Sequence, residues 1–177
     1  LLLGLRFIPN NKVGIVEKRF SGKGSLRSGI IALKGEAGFQ PAVLRGGLHF
    51  LMPFQYVVHI TPLVTITQGR IGYVFSRDGE PLLPSQTLAS NVKASGFQDV
   101  AAFLQAGGQK GPQRKVLREG TYAINLAQFV VITEERVFYL PLDKSEDATF
   151  HGMAQVIRDR GGLAPVVIKG TDDVIGI

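Results

Sequence analysis

The segment VLRGGLHFLMP, residues 43–53, returns in altered form as VLREGTYAINL at residues 116–126. Extended outward, residues 38–59 align with residues 111–132 without a gap. Because chance seldom keeps glycine, glutamine and arginine in register together, the sequence predicts a duplicated supersecondary unit. The residues of the first copy that meet their own type in the second are Gly38, Gln40, Val43, Leu44, Arg45, Gly47, Gln55, Val57 and Val58.

A second pair of segments enlarges the repeat. Residues 8–22, IPNNKVGIVEKRFSG, align with residues 66–79, ITQGRIGYVFSRDG. The order along the chain is then A-B-A-B, and VIKGTDDVIGI at 167–177 predicts a third start. A third start would make the sequence a piece of a longer protein. Each unit is expected to be a small β module with an exposed face that its neighbour buries.

The remaining patterns predict a β-rich protein with two helices. Most apolar runs are short, rich in β-branched residues and bounded by Gly, Pro or Asn, which is typical of strands. A helix at about 97–106 is predicted from its apolar spacing and from Gly107 beyond its end. A second helix at about 146–160 is predicted between Ser145 and Gly161. The predicted class is α+β and β-rich, with tandem small antiparallel β modules.

These elements divide the chain into four predicted parts. Residues 1–7 are the tail of a membrane anchor or a linker, and 8–65 form the first β module. Residues 66–165 form the second β module, with the helix near 97–106 as an insertion, and 166–177 begin a further module.

Composition excludes several classes of site. The chain has 177 residues, of which 45% are hydrophobic and 19% charged, so it can bury a core. The absence of cysteine excludes disulfides, zinc-thiolate sites and thiol catalysis. The three histidines are widely separated, and SGKGS at 21–25 lacks the residue order of a phosphate-binding loop. The sequence therefore predicts no enzyme, no metal site and no cofactor.

The chain opens with LLLGLRFIPNN, which has two interpretations. The run Leu1 to Leu5 is far shorter than the roughly 20 apolar residues that span a bilayer. It resembles the cut end of a membrane segment, and an ordinary first strand explains it equally well.

Basic residues concentrate directly after this apolar end. The net charge is +6, and Glu17 is the single acid between Arg6 and Lys34. An anionic membrane surface attracts such a stretch, and a solvated loop and strand face would also carry it. The pattern lacks the signatures of specific nucleic-acid recognition. The residues predicted to contact a membrane surface are Arg6, Lys12, Lys18, Arg19, Lys23 and Arg27.

Four stretches carry a resemblance to a known family. IPNNKVGIVEKRF, LRGGLHFLMPFQYVVHI, GRIGYVFSRDGEPL and VLREGTYAINLAQFVVIT resemble the SPFH group of stomatin, prohibitin and flotillin, in particular its bacterial flotillin-like members. The resemblance implies an N-terminal hydrophobic anchor, β-rich modules and assembly into large oligomers. The module is also similar to the shoulder of the major vault protein, whose β repeats likewise stand in tandem. The heptad-rich coiled coil of the family is absent from this sequence.

Two features bear on how such a scaffold would work. RGGLHFLMPF, 45–54, is a dense apolar run that burial in the module explains better than contact with a bilayer, because the second copy has the less apolar TYAIN at the matching place. Arg45 and Arg118 occupy the same repeat position and are candidates for contacts between modules or subunits.

Two functions follow as hypotheses. The first is a membrane-associated oligomeric scaffold of the SPFH type that organises lipids or partner membrane proteins, with itself, membrane lipids and membrane proteins or proteases as partners. Nucleic acid is not an expected partner. The alternative is a soluble, vault-like cage wall or protein-binding module without membrane contact.

Overall fold

The structure is a computed structural model that describes residues 4–93 and 96–163. Within them the protein is 36% strand and 13% helix, with several small antiparallel sheets and two helices. The α+β, β-rich class predicted from the sequence is therefore confirmed. Leu1 to Leu3 of the predicted anchor end and the predicted third start at 167–177 lie outside the described residues.

The strands and helices follow one another in two successive series. The first series is β1 (Leu5–Ile8), β2 (Lys12–Lys18), β3 (Gly38–Leu44), β4 (Gly47–Phe50) and β5 (Tyr56–Pro62). The second series is β6 (Val64–Ile66), β7 (Tyr73–Ser76), α1 (Val100–Gln105), β8 (Gly111–Pro112), β9 (Gly120–Tyr122), β10 (Phe129–Ile132), β11 (Val137–Phe138) and α2 (Glu146–Asp159). We call β1 to β5 the first unit and β6 to β11, with α1, the second unit.

The two units repeat one pattern of strand pairing. In the first unit β1 pairs with β4, and β3, β2 and β5 form a three-stranded antiparallel sheet. In the second unit β6 pairs with β9, and β8, β7 and β10 form the corresponding sheet. β11 extends that second sheet beyond β10. The sequence repeat is thus a repeat of topology.

The register of pairing also agrees between the units. Ile8 lies opposite Gly47, and the aligned Ile66 lies opposite Gly120. Further matching pairs are Gly14 with Leu44 and Gly72 with Leu117, Lys18 with Gly38 and Ser76 with Gly111, and Val16 with Val58 and Val74 with Val131. Since a slip of one residue would turn every side chain to the other face, the agreement shows that both copies build the same inner and outer faces.

A glycine in each unit lets the two small sheets approach each other. A Cβ added to Gly14 would lie 2.5 Å from Cδ1 of Ile8 and 2.8 Å from Cγ1 of Val58. A Cβ added to the aligned Gly72 would lie 2.7 Å from Cδ1 of Ile66. Both isoleucines are buried, so each strand that carries the glycine is crossed closely by the first strand of its unit.

The second unit contains the inserted helix that the sequence predicts. Aligned residues of the two units are 58 positions apart up to β7 and 73 positions apart from β8 onward. The segment between β7 and β8 therefore contains 15 extra residues. α1 begins at Val100 rather than 97, because Phe97 has a φ of 61° and Asp99 is the N-cap, its Oδ1 accepting from the Ala102 N–H at 2.9 Å. Gly107, with a φ of +79°, follows the helix as predicted.

One hydrophobic core runs through both units. Three phenylalanines stand at its centre: the Phe129 ring lies 5.2 Å from Phe97 and 5.0 Å from Phe103, both edge-on. α1 therefore fills the space between the units. The buried members of the core are Ile15 and Ile31 of the first unit, with Val64, Ile66, Val74, Phe97, Val100, Phe103, Leu117, Ile124, Leu126, Ala127, Phe129, Val131, Phe138 and Leu140.

Two polar side chains of the second unit fasten it to the first. The carboxylate of Asp78 accepts hydrogen bonds from the backbone N–H of Ile30 at 2.7 Å and of Ile31 at 3.1 Å. Asn125, which is fully buried, donates through Nδ2 to the carbonyl oxygens of Gln40 at 2.9 Å and Pro41 at 3.2 Å. These side-chain hydrogen bonds to backbone groups of the first unit fix the relative placement of the units.

α2 covers the opposite face of the second sheet. Its Phe150 and Ala154 pack with Val130 and Ile132 of β10 in a second, smaller core. Arg77, whose side chain is 4% exposed, donates to the carbonyl oxygen of Leu140 at 2.9 Å and lies 3.3 Å from Oε2 of Glu146 at the start of α2. The helix ends at Asp159, within one residue of its predicted end.

Strands β1 and β6 lie at the predicted boundaries of the two modules. Leu5–Ile8 is a strand that pairs with β4, so residues 5–7 form part of the small sheet of the first unit. The predicted boundary at 65/66 falls inside β6, Val64–Ile66.

Substitution of Gly14 tests the close crossing. Gly14→Ala is expected to lower the free energy of unfolding by about 1–3 kcal/mol, since the new methyl group meets the side chains of the buried Ile8 and the half-buried Val58. Gly22→Ala is the control, because nothing lies within 4 Å of the position where its Cβ would be built, and its effect should stay within about 0.5 kcal/mol. Urea denaturation of both variants measures the difference; equal stabilities would contradict the crossing.

Candidate functional site

An apolar face on the paired strands β1 and β4 points to solvent. Leu5 lies opposite Phe50, and Phe7 lies opposite Leu48. These four side chains are 52%, 64%, 66% and 66% exposed, respectively. Because side chains alternate along a strand, the buried Ile8 takes the inner face and all four take the outer one.

The turn after β4 continues this apolar character. Met52 is 59% exposed and Phe54 is 84% exposed. Phe54 also has a φ of 69°, in the left-handed region that bulky residues rarely adopt. We call Leu5, Phe7, Leu48, Phe50, Met52 and Phe54 together the apolar surface. Contiguous exposed apolar patches of several hundred Å² on a folded domain mark interaction sites.

The second unit lacks this surface at the aligned positions. Thr65 and Thr121, which pair with each other, stand where the first unit has Phe7 and Leu48. Asn125 and Ala127 align with Met52 and Phe54, and both are fully buried at the contact between units. The apolar surface is therefore specific to the first unit and is not a requirement of the fold.

The burial expected for the run 45–54 is wrong. β4 has alternating burial, so Leu48 and Phe50 face outward while Gly47 and His49 face the sheet below. In the second copy the matching TYAIN has Thr121 exposed, whereas its Ala123, Ile124 and Asn125 are buried.

The predicted basic contact residues separate into two groups. Arg6 is exposed on β1, and Lys18 and Arg19 lie beside the turn of the apolar surface, since Lys18 pairs with Tyr56 and the Arg19 N–H donates to Gln55 O at 2.8 Å. The other group lies apart from the turn. Lys12 stands at the opposite end of β2, Lys23 donates through Nζ to the Lys34 carbonyl at 2.8 Å, and Arg27 is exposed in the same loop.

Arg45 and Arg118 keep the same place in both units. Both are exposed and stand just before the second strand of the small sheet. The carbonyl oxygen of Arg45 lies 2.7 Å from Nε2 of His49, and the carbonyl oxygen of Arg118 accepts from the Tyr122 hydroxyl at 3.0 Å. The backbone at these positions thus has the same partner position in each repeat.

Other titratable groups form small pairs on the surface. Nε2 of His59 lies 2.8 Å from Oε2 of Glu17, and the Tyr139 hydroxyl donates to Asp147. The hydrogen bond to Asp147 raises the pKa of Tyr139 to about 12, so the phenol stays neutral at physiological pH. Among the described residues no three potential metal-ligating side chains cluster together.

Neither α1 nor α2, the helices of the described ranges, has the length and apolar character needed to cross a membrane. Comparisons of the chain with protein-family models, with curated proteins and with solved structures found no match. The apolar surface and the repeat are therefore the two features that bear on function.

The left-handed backbone at Phe54 yields a stability prediction. Phe54→Gly is expected to raise the free energy of unfolding by up to about 1 kcal/mol, because it relieves the strained φ and removes a side chain that is 84% exposed. Phe97→Gly is the matched control: it has a φ of 61° but is 6% exposed in the core, so the loss of packing should cost about 3–5 kcal/mol. Thermal denaturation distinguishes them, and a large loss at Phe54 would show that its ring packs.

Proposed function

We propose that this chain is the β-rich part of a membrane-associated scaffold of the SPFH type, which self-associates and organises lipids or partner membrane proteins, and that it is not an enzyme. The observation that supports this most is the apolar surface of the first unit. The fold does not require it, since the second unit has Thr65 and Thr121 at the aligned positions. An exposed apolar surface lowers the solubility of a protein, so its presence here indicates an interaction site.

A bilayer interface suits this surface physically. It combines aliphatic and aromatic side chains on a two-stranded sheet whose outer face is apolar at all four paired positions. Burial of each large side chain contributes about 1.5–3 kcal/mol, so partial insertion of six would exceed the binding of one lipid chain. No membrane-spanning segment is needed for this contact.

Basic residues beside the surface add an electrostatic part. Arg19 lies beside the turn of this surface, and each basic group near an anionic headgroup contributes about 1 kcal/mol. Arg6 alternates to the strand face opposite Leu5 and Phe7, and Nζ of Lys18 donates to the Gly35 carbonyl at 2.8 Å. Lys12, Lys23 and Arg27 are farther along the chain's loops and strand ends, so we assign them a smaller share. The N-terminal anchor that the SPFH resemblance implies would supply a second attachment, and stable membrane anchoring commonly uses two.

A soluble, vault-like cage wall is the second candidate. It is favoured by the way the turn containing Asn125 docks on β3 of the first unit, which shows that these units stack in tandem. In such a wall the aligned turn with Met52 and Phe54 would dock on another module. The two functions differ in whether a bilayer or a protein covers the apolar surface.

Vesicle flotation tests the proposed function. The chain should float with anionic phosphatidylserine vesicles, and the triple variant Leu48→Ser, Phe50→Ser, Phe54→Ser should lose at least about 90% of that binding, because it removes the inserting side chains. A matched control replaces three exposed apolar residues elsewhere: Leu33→Ser, Leu83→Ser and Val156→Ser, which are 41%, 62% and 51% exposed.

The outcomes separate the hypotheses. Loss of binding in the first variant with retention in the control supports insertion of the apolar surface. Equal binding of both variants would contradict it. Absence of flotation by the unaltered chain would favour the cage wall, and the apolar surface would then be sought in contact with another module.

A further inference from the structure

The two units differ at the edge of their main sheets. In the first unit β5 is an edge strand, because β2 is its partner on one side and the described residues supply none on the other. In the second unit the aligned strand β10 carries β11 on that edge. The seven residues YVVHITP at 56–62 therefore form an open edge, whereas in the second unit β11 covers the aligned edge of β10.

The second unit shows which backbone groups the edge offers. Val131 lies opposite Phe138, and the Thr133 N–H donates to the Arg136 carbonyl at 3.0 Å across the β10 to β11 turn. Groups that bond outward alternate along a strand in an antiparallel sheet. Val58 and Ile60 align with Val131 and Thr133, so their N–H and C=O groups point to the open edge.

The edge lacks the usual devices that prevent strand addition. Natural edge strands carry lysines, inward charges, bulges or central prolines. β5 contains no Lys, Arg, Asp or Glu, and its proline is the last residue, Pro62. The bulge of this sheet lies on the other side of β2, between Ile15 and Glu17 in its pairing with β3. Ile60 is 47% exposed on the strand.

We propose that β5 pairs antiparallel with β5 of a second copy of this chain, so that two three-stranded sheets join into one continuous sheet across a twofold axis. Identical strands related by a twofold axis are antiparallel and self-complementary, which is the commonest symmetry of homo-oligomers. In this dimer β5 of each copy pairs with the open edge of the other copy's β5, as β11 pairs with the edge of β10 in the second unit. No strand of another protein is required.

This inference deepens the proposed function, because it rests on self-association and names the contact for it. The apolar surface lies on β1, β4 and the following turn, whereas the proposed contact uses the backbone edge of β5. Dimerisation and membrane binding are therefore separable, and the test below contains no lipid.

Sedimentation velocity of the chain over a wide concentration range tests the contact. The mass should rise from the 19.1 kDa monomer toward a dimer. Ile60→Lys should weaken the dimer at least about tenfold, because it places a charge at the centre of the paired edges. Leu83→Lys is the control, since it adds the same charge at an apolar residue that is 62% exposed in a loop.

Hydrogen exchange of the unaltered chain gives a second measurement that does not depend on any variant folding. The amides of Val58 and Ile60 should become protected as concentration rises. Those of Val57 and His59, which face β2, should be protected at every concentration and serve as an internal control.

The proposal is overturned by a chain that stays monomeric throughout, by a dimer that Ile60→Lys leaves unchanged, or by a dimer in which the Val58 and Ile60 amides exchange as fast as in the monomer. If Ile60→Lys fails to fold, the exchange of the unaltered chain decides. Vesicle flotation can succeed or fail independently of every one of these results.

Discussion

The docking of the second unit on the first is the contact on which the rest of the structure depends. Asn125 and Asp78 satisfy backbone groups of the first unit, and the phenylalanines around Phe129 fill the space between. This contact buries the turn of the second unit and leaves the aligned turn, with Phe54, exposed. Two modules that share one topology thereby have different surfaces. The functional site is proposed where these surfaces differ.

Much of the fold could be predicted from the sequence. The repeat predicts that the two units share one topology, and Gly14 and Gly72, like Ile8 and Ile66, have the same steric roles in both copies. The helices follow from their apolar spacing. The predicted start of α1 at residue 97 lies before its observed start at Val100. The buried Phe97 has a left-handed φ, which local apolar spacing does not reveal.

The candidate surface was harder to predict. A run such as LHFLMPF has the hydropathy of a core strand, and hydropathy cannot say which face of a strand another unit covers. The pairing of Phe7 with Leu48 on one outer face appears only when β1 and β4 are joined. A signal was nevertheless present: the second copy has threonines at both positions, and polar residues are more often found on an outer face.

The central claim is that the first unit faces a bilayer and the second does not. Because the chain has no cysteine, Leu48→Cys and the aligned Thr121→Cys each give a single labelling site. An environment-sensitive fluorophore at these sites, read with and without anionic vesicles, measures the claim most directly. We expect a blue shift and quenching by lipid-bound quenchers at residue 48 and no change at 121. Equal responses at the two sites would contradict the account.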